Sequence, residues 1–148
     1  MEKKIIVKVS AGLGNQMFMY AHAYALSKKL NYKLYVDNTS GYFQKKNLSD
    51  NRSYKLNHFN INASIADKNL KYDNYSRHFL KKLAKFLDKF WKKKLFLIEH
   101  IDQKKATFFK KNEKIYADKI YVEGYYECEK YFLEYRYSLL KQFTLKNE

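Results

Sequence analysis

The order of apolar and polar positions divides the chain into a few regular elements. Ile5 to Val9 is a mostly β-branched run that stops at Ser10 and Ala11-Gly12-Leu13-Gly14, which predicts a buried strand entering a tight turn. From Asn15 onward Met17, Tyr20, Ala21, Tyr24 and Ala25 recur at helical spacing. That helix is expected to stop at Ser27-Lys28-Lys29-Leu30-Asn31, with cations in its last turn and Asn31 as the terminator. Lys33–Asp37 then predicts a second strand. Strand, glycine turn, helix and strand in this order form a βαβ unit, so the expected fold class is α/β: a Rossmann-like parallel sheet flanked by helices.

Beyond Asp37 the pattern loosens. Asn38 to Asn57 is polar and loop-like, with Gly41 and Ser49-Asp50-Asn51 as turn signals and Tyr42-Phe43 expected to dip into the core. Arg77 to Lys94 carries the clearest helical pattern, because Phe79, Leu80, Leu83, Phe86, Leu87, Phe90 and Trp91 return every three or four residues with lysines on the opposite face. The plain expectation is an amphipathic helix whose basic face is solvated; the functional alternative is docking on an anionic membrane surface. Leu95–Ile98 and Lys119–Val122 read as further strands, and Glu129–Phe143 as a closing helix. No repeat or linker interrupts the chain, so residues 1–148 are expected to form a single domain.

Composition sharpens this picture. With 46% hydrophobic and 18% aromatic residues the chain can build a core, which excludes disorder throughout. A single cysteine, Cys128, excludes an internal disulfide framework or a multi-cysteine zinc site, and a reducing, cytoplasmic setting is expected. Lys8 interrupts the first apolar run too early for a secretory signal, and no apolar stretch approaches a membrane span. The formal charge is +15, yet only Arg52, Arg77 and Arg136 among the 30 basic residues are arginine. Lysine is a hydrated point charge without the planar fork that reads phosphates and base edges, so nucleic acid is a disfavoured partner. Residues 77–119 hold fourteen basic and five acidic side chains, which predicts a broad basic face and leaves peripheral contact with the inner membrane surface open.

The chemistry is concentrated at the first turn. Two of only four glycines, Gly12 and Gly14, fall within three residues at the end of the first strand. Glycine there permits positive φ and close backbone approach, and the helix that follows presents unpaired amides to an anionic group such as a phosphate. The dinucleotide fingerprint would need a third glycine at Met17, and the phosphate loop of nucleotide hydrolases would need Gly-Lys-Ser/Thr; neither is present. Asp37, at the end of the second strand, stands where a ribose-binding acid stands in a dinucleotide domain, so a nucleotide-binding domain without transferase activity remains an alternative. Tight strand-to-helix packing is the purely structural reading of the turn.

Gly12-Leu13-Gly14-Asn15-Gln16-Met17-Phe18, followed by Tyr20-Ala21, resembles the Gly-Gly-Leu-Gly-Asn-Gln-Met-Phe-Gln-Tyr-Ala opening of bacterial α-1,2-fucosyltransferases. Two further segments agree in order. Tyr54-Lys55-Leu56-Asn57-His58-Phe59-Asn60-Ile61 is similar to that family's Tyr-x-Leu-x-x-Phe-Asn-Ile, and Val122-Glu123-Gly124-Tyr125-Tyr126-Glu127-Cys128-Glu129-Lys130-Tyr131-Phe132 to its Gly-Tyr-Trp-Gln-Ser-Glu-Lys-Tyr-Phe. Ala11 replaces the family's first glycine, Met19 its glutamine, and Tyr126-Glu127-Cys128 its Trp-Gln-Ser. The family's His-x-Arg-Arg-x-Asp-Tyr segment, which holds the donor diphosphate, is absent.

The resemblance implies the N-terminal half of a GT-B glycosyltransferase, with the donor-binding half supplied by another polypeptide segment. In the family, L-fucose passes from GDP-fucose to a galactose 2-hydroxyl of a surface glycan with inversion and without a required metal or other cofactor. Gly12, Gly14, Asn15 and Gln16 are the implied substrate-binding residues, and no residue is assigned as the catalytic base. This chain by itself is expected to be catalytically poor. A non-enzymatic alternative is a basic module that binds a membrane surface or a glycan.

The remaining candidates read as structural. His22 lies between Ala21 and Ala23 as a packed helix histidine, and His58, His78 and His100 show no metal-ligand spacing. Cys128 has no histidine nearby in sequence, and Glu127 and Glu129 suit an exposed helix start.

Overall fold

The computed structural model describes residues 2–43, 52–99 and 114–147. The turn cluster Ser49-Asp50-Asn51 and His100 lie outside the described residues. Five parallel strands form one sheet in the order β3-β2-β1-β5-β4: β1 Lys4–Lys8, β2 Lys33–Asp37, β3 Ser64–Ile65, β4 Lys94–Ile98 and β5 Tyr116–Glu123. The helices are α1 Leu13–Leu30, α2 Tyr75–Asp88 and α3 Arg136–Gln142. The α/β, Rossmann-like class is therefore observed. None of the described helices is long and apolar enough to cross a membrane.

Alternation along the strands sorts the side chains onto two faces. Ile5, Val7 and Val9 of the first strand segment join Leu34, Val36, Ile120 and Val122 beneath α1, forming the main core. Helix α1 is buried on several sides because residues 129–143 cover it from above: Tyr20 bonds Gln142, Tyr24 Oη lies 2.8 Å from Ser138 Oγ, and the Tyr20 ring meets Phe143 edge-on. Asn31 ends the helix in the left-handed conformation at φ 55°, as expected, with Tyr32 N–H donating to Ser27 O at 2.9 Å. The opposite face carries a smaller cluster of Ile6, Ala66, Phe96 and Tyr121, partly covered by α2.

Several boundaries differ from the sequence pattern. The closing helix expected over Glu129–Phe143 is broken into single 3₁₀ turns at Glu129–Tyr131 and Leu133–Tyr135 before α3. Phe132 leaves helical geometry at φ −138°, and its ring packs on Phe18 of α1 5.9 Å away. The two-residue strand β3 is too short to give a periodic signal. Tyr42 and Phe43 are half-buried, Phe43 lying edge-on to Tyr75.

The largest correction concerns α2. It ends at Asp88 instead of Lys94, because the Asp88 carboxylate accepts from Leu95 N–H at 2.7 Å, and Lys94 Nζ donates to the carbonyls of Asp88 and Trp91, each at 2.7 Å. Its orientation is also the reverse of a solvated basic face. Lys81 and Asp88 are the buried residues of α2, whereas Phe79, Leu80, Leu83, Phe86 and Leu87 point outward. Polar anchors, not apolar packing, set this orientation. Lys81 and Lys85 reach Glu123 on β5, and Asp88 holds the start of β4.

Candidate functional site

The end of β1 and the start of α1 make a corner at the carboxyl edge of the sheet, beside the reversal of strand order between β1 and β5 where open α/β sheets bind ligands. Val9 N–H still donates to Asp37 O at 3.1 Å; two residues later Ala11 adopts φ 59° and turns the chain. Gly12 follows at φ −78°, ψ 172° as the residue before the helix, and Gly14 lies in its first turn. The positive φ expected of the glycines thus falls on alanine, the position where the similar family carries its first glycine. The glycines contribute openness instead. A Cβ added at Gly12 or Gly14 would meet no atom within 4 Å.

Gln16 N–H makes the first helical bond, to Gly12 O at 3.1 Å, so the amides of Leu13, Gly14 and Asn15 precede the helical ladder. No side chain caps them and the first turn has no acidic residue. This leaves an uncompensated positive helix end. Gly12 and Asn15 are half-buried, Gly14 is exposed, and among the described residues the Asn15 side chain has no hydrogen-bond partner. Gln16 is different. It is fully buried, its Nε2 donates to Ala11 O at 3.0 Å and Ser53 O at 2.8 Å, and its Oε1 accepts from Lys55 N–H at 2.9 Å. Its side chain holds the corner together from behind, while Gly12, Gly14 and Asn15 face outward.

Two loops wall the corner. Residues 38–43 form one: Gly41 sits so tightly on the strand end that a Cβ there would lie 2.0 Å from Val9 O, and Tyr42 Oη donates to Ala11 O at 3.3 Å. The loop is shaped by Asp37, whose fully buried carboxylate accepts from the amides of Thr39 (3.2 Å) and Ser40 (3.0 Å), and from Ser40 Oγ (2.5 Å) and Tyr121 Oη (2.6 Å). A carboxylate so enclosed and occupied is not presented to a ribose, which removes the feature that motivated the dinucleotide reading. The other wall is the segment around Ser53 and Lys55, tied to the helix through Gln16.

All three segments that carry the family resemblance therefore meet at α1. The second joins through Gln16 and through Tyr20, whose hydroxyl accepts from Asn62 N–H at 3.0 Å. The third joins through aromatic rings: Tyr126 stacks on His22 with centroids 3.6 Å apart, and Tyr131 meets His22 edge-on at 5.0 Å. Burial pushes the His22 imidazole down to about 3, so it is neutral at physiological pH and serves packing. Gly124, at φ 140°, is needed here because a Cβ would lie 2.4 Å from Glu99 Cβ; Tyr126 takes φ 52° while its N–H donates to Glu99 Oε2 at 2.6 Å.

Sequence reasoning missed a charge cluster at the carboxyl end of β5. Glu123, buried, lies 3.4 Å from Lys8 Nζ, 2.5 Å from Lys81 Nζ and 2.9 Å from Lys85 Nζ. Burial raises the Glu123 carboxyl, but the three ammonium groups outweigh it and hold the group down to about 2. Burial lowers the Lys81 ammonium, and the neighbouring Lys8 and Lys85 add to this against the upward pull of Glu123. The usable sequence signal was position alone: a glutamate immediately before Gly124 at a central strand end. Arg77 is committed to Lys68 O and Asp73, and Arg136 to Glu129. Among the described residues no three His, Cys, Asp or Glu side chains gather into a group able to hold a metal ion.

No protein-family profile matches the chain, and no solved structure matches it. A stretch of 53 residues, 36% of the chain, is 45% identical to the O-antigen biosynthesis glycosyltransferase WbnK of Escherichia coli. The match spans 18% of that protein's length. Over this stretch the chain is similar to a glycosyltransferase.

Proposed function

We propose that this chain forms the N-terminal α/β half of an α-1,2-fucosyltransferase, which moves L-fucose from GDP-fucose to a galactose 2-hydroxyl in surface-glycan assembly. The observation that carries the reading is the uncapped start of α1, with Gly12 and Gly14 opening onto free space at the carboxyl edge of the sheet. The O-antigen glycosyltransferase likeness supports the same class of chemistry. In this reading the amides of residues 13–15 and the free Asn15 amide line the cleft, and Gln16 keeps the corner rigid. Departure of the nucleoside diphosphate requires fixed positive charge at the developing oxyanion. The helix end supplies part of it, and cations of a second half supply the rest. The chain spans less than a fifth of the relative it matches, so activity belongs to the completed cleft.

Calorimetric titration with GDP and GDP-fucose, paired with a fucosyl-transfer assay on a galactoside, tests this. The expected result is weak GDP binding and no transfer by this chain alone. Gly14→Asp places an anion in the first helical turn, which suits the helix dipole yet repels a diphosphate, so it should abolish GDP binding without loss of stability. Binding indifferent to G14D, or turnover by this chain alone, would show that the donor is held elsewhere.

A further inference from the structure

We infer that the outward face of α2, continued by Phe90 and Trp91, docks the protein on an anionic lipid bilayer. Phe79, Leu83, Phe86 and Phe90 form an apolar ridge flanked by Leu80 and Leu87, and each of these side chains is between 45% and 74% exposed. A water-soluble surface rarely carries so continuous an apolar patch without a partner. The helix cannot turn inward to hide it. Lys81 and Lys85 are held by Glu123, and Asp88 by the backbone of β4, so burying the ridge would break the ion cluster.

Charge identifies the occupant. Lys82 and Lys89 run along one edge of the ridge, and Lys92 and Lys93 follow its end; all four are exposed, and none has an acidic partner among the described residues. Asp88, the lone acidic residue between Tyr75 and Lys94, is buried. An apolar ridge bordered by lysines, with Trp91 55% exposed at one end and Tyr75 79% exposed at the other, suits an interface that is oily within and negatively charged at its rim. A second copy would set the same lysines against each other on a chain of net charge +15. The other half of a transferase would face the carboxyl edge, whereas α2 runs away from that edge. Its first residue, Tyr75, meets Phe43 of the corner loop, and its last, Asp88, caps the start of β4. The Phe90-Trp91 end therefore lies at the amino edge, opposite the cleft.

Trp91 is the single tryptophan and so a site-specific reporter. The full chain is mixed with vesicles of phosphatidylglycerol and phosphatidylethanolamine, and separately with phosphatidylcholine vesicles. With the anionic vesicles Trp91 emission should shift to the blue, and the protein should co-sediment in a manner lost at high salt. Each lysine near an anionic surface strengthens binding about fivefold, so K82Q/K89Q should weaken partition about 25-fold. F86D/F90D should abolish it while far-UV circular dichroism and the urea midpoint stay unchanged, because both side chains already face water. The inference is overturned if anionic vesicles leave Trp91 and sedimentation unchanged, if F86D/F90D still binds, or if lipid-free protein forms a dimer that F86D/F90D dissolves. The outcome does not depend on whether the corner binds a sugar nucleotide.

Discussion

Replacing Glu123 by glutamine keeps the volume of the side chain and removes the one negative charge among Lys8, Lys81 and Lys85. In the folded protein burial would raise this carboxyl, yet the lysines bring it from an ordinary 4.5 to about 2. One unit of difference between folded and unfolded states corresponds to about 1.4 kcal/mol, so the ionised group contributes about 3 kcal/mol. The folded value lies below the unfolded one. The contribution is therefore complete above about pH 5, declines as pH falls from about 4.5 to 2, and is absent below both. At neutral pH E123Q should lose about 3–5 kcal/mol, since breaking a buried pair also leaves Lys81 uncompensated. Urea unfolding followed at pH values between 2.5 and 7 measures both quantities. The difference between the two stability curves should shrink by about 2.5 kcal/mol between pH 7 and pH 2.5, because glutamine cannot titrate. Parallel curves, with a gap that does not change with pH, would refute the cluster as the source of stability and with it the polar anchoring of α2.

Two other substitutions probe the corner. Ala11→Gly removes a Cβ from φ 59°, a conformation that costs an L-residue about 1–2 kcal/mol, against an entropic loss of about 0.5–1 kcal/mol, so the thermal midpoint should rise slightly; a fall would show that Ala11 packs usefully. Gln16→Ala deletes three hydrogen bonds to the backbone of Ala11, Ser53 and Lys55, which should cost about 3 kcal/mol and speed amide exchange at Lys55; a change under about 1 kcal/mol would mean that Gln16 does not hold the loop.

Much of the first βαβ unit was legible in the chain, because local chemistry decides it. Ile5–Val9 and Lys33–Asp37 are strand-like wherever they are placed, and Asn31 tolerates the left-handed conformation that ends α1. The motif segments named Gly12, Gly14, Asn15 and Gln16 together, but periodicity could not separate residues that face outward from the one that faces in. That division arises only when Ser53 and Lys55 come back to the start of α1 from far along the chain, which gives the Gln16 amide its acceptors and donor.

The orientation of α2 shows the limit most clearly. Spacing determines that one side of Tyr75–Asp88 is apolar and the other cationic, and nothing within the helix says which side meets the sheet. Tertiary structure decides it. Glu123 waits at a strand end with Lys8 beside it, and a buried carboxylate in a low-dielectric setting draws Lys81 and Lys85 more strongly than the small cluster of Ile6, Phe96 and Tyr121 draws phenylalanines. Local sequence sets what each segment can be; contacts between residues distant in the chain set which of its faces remains available to a partner.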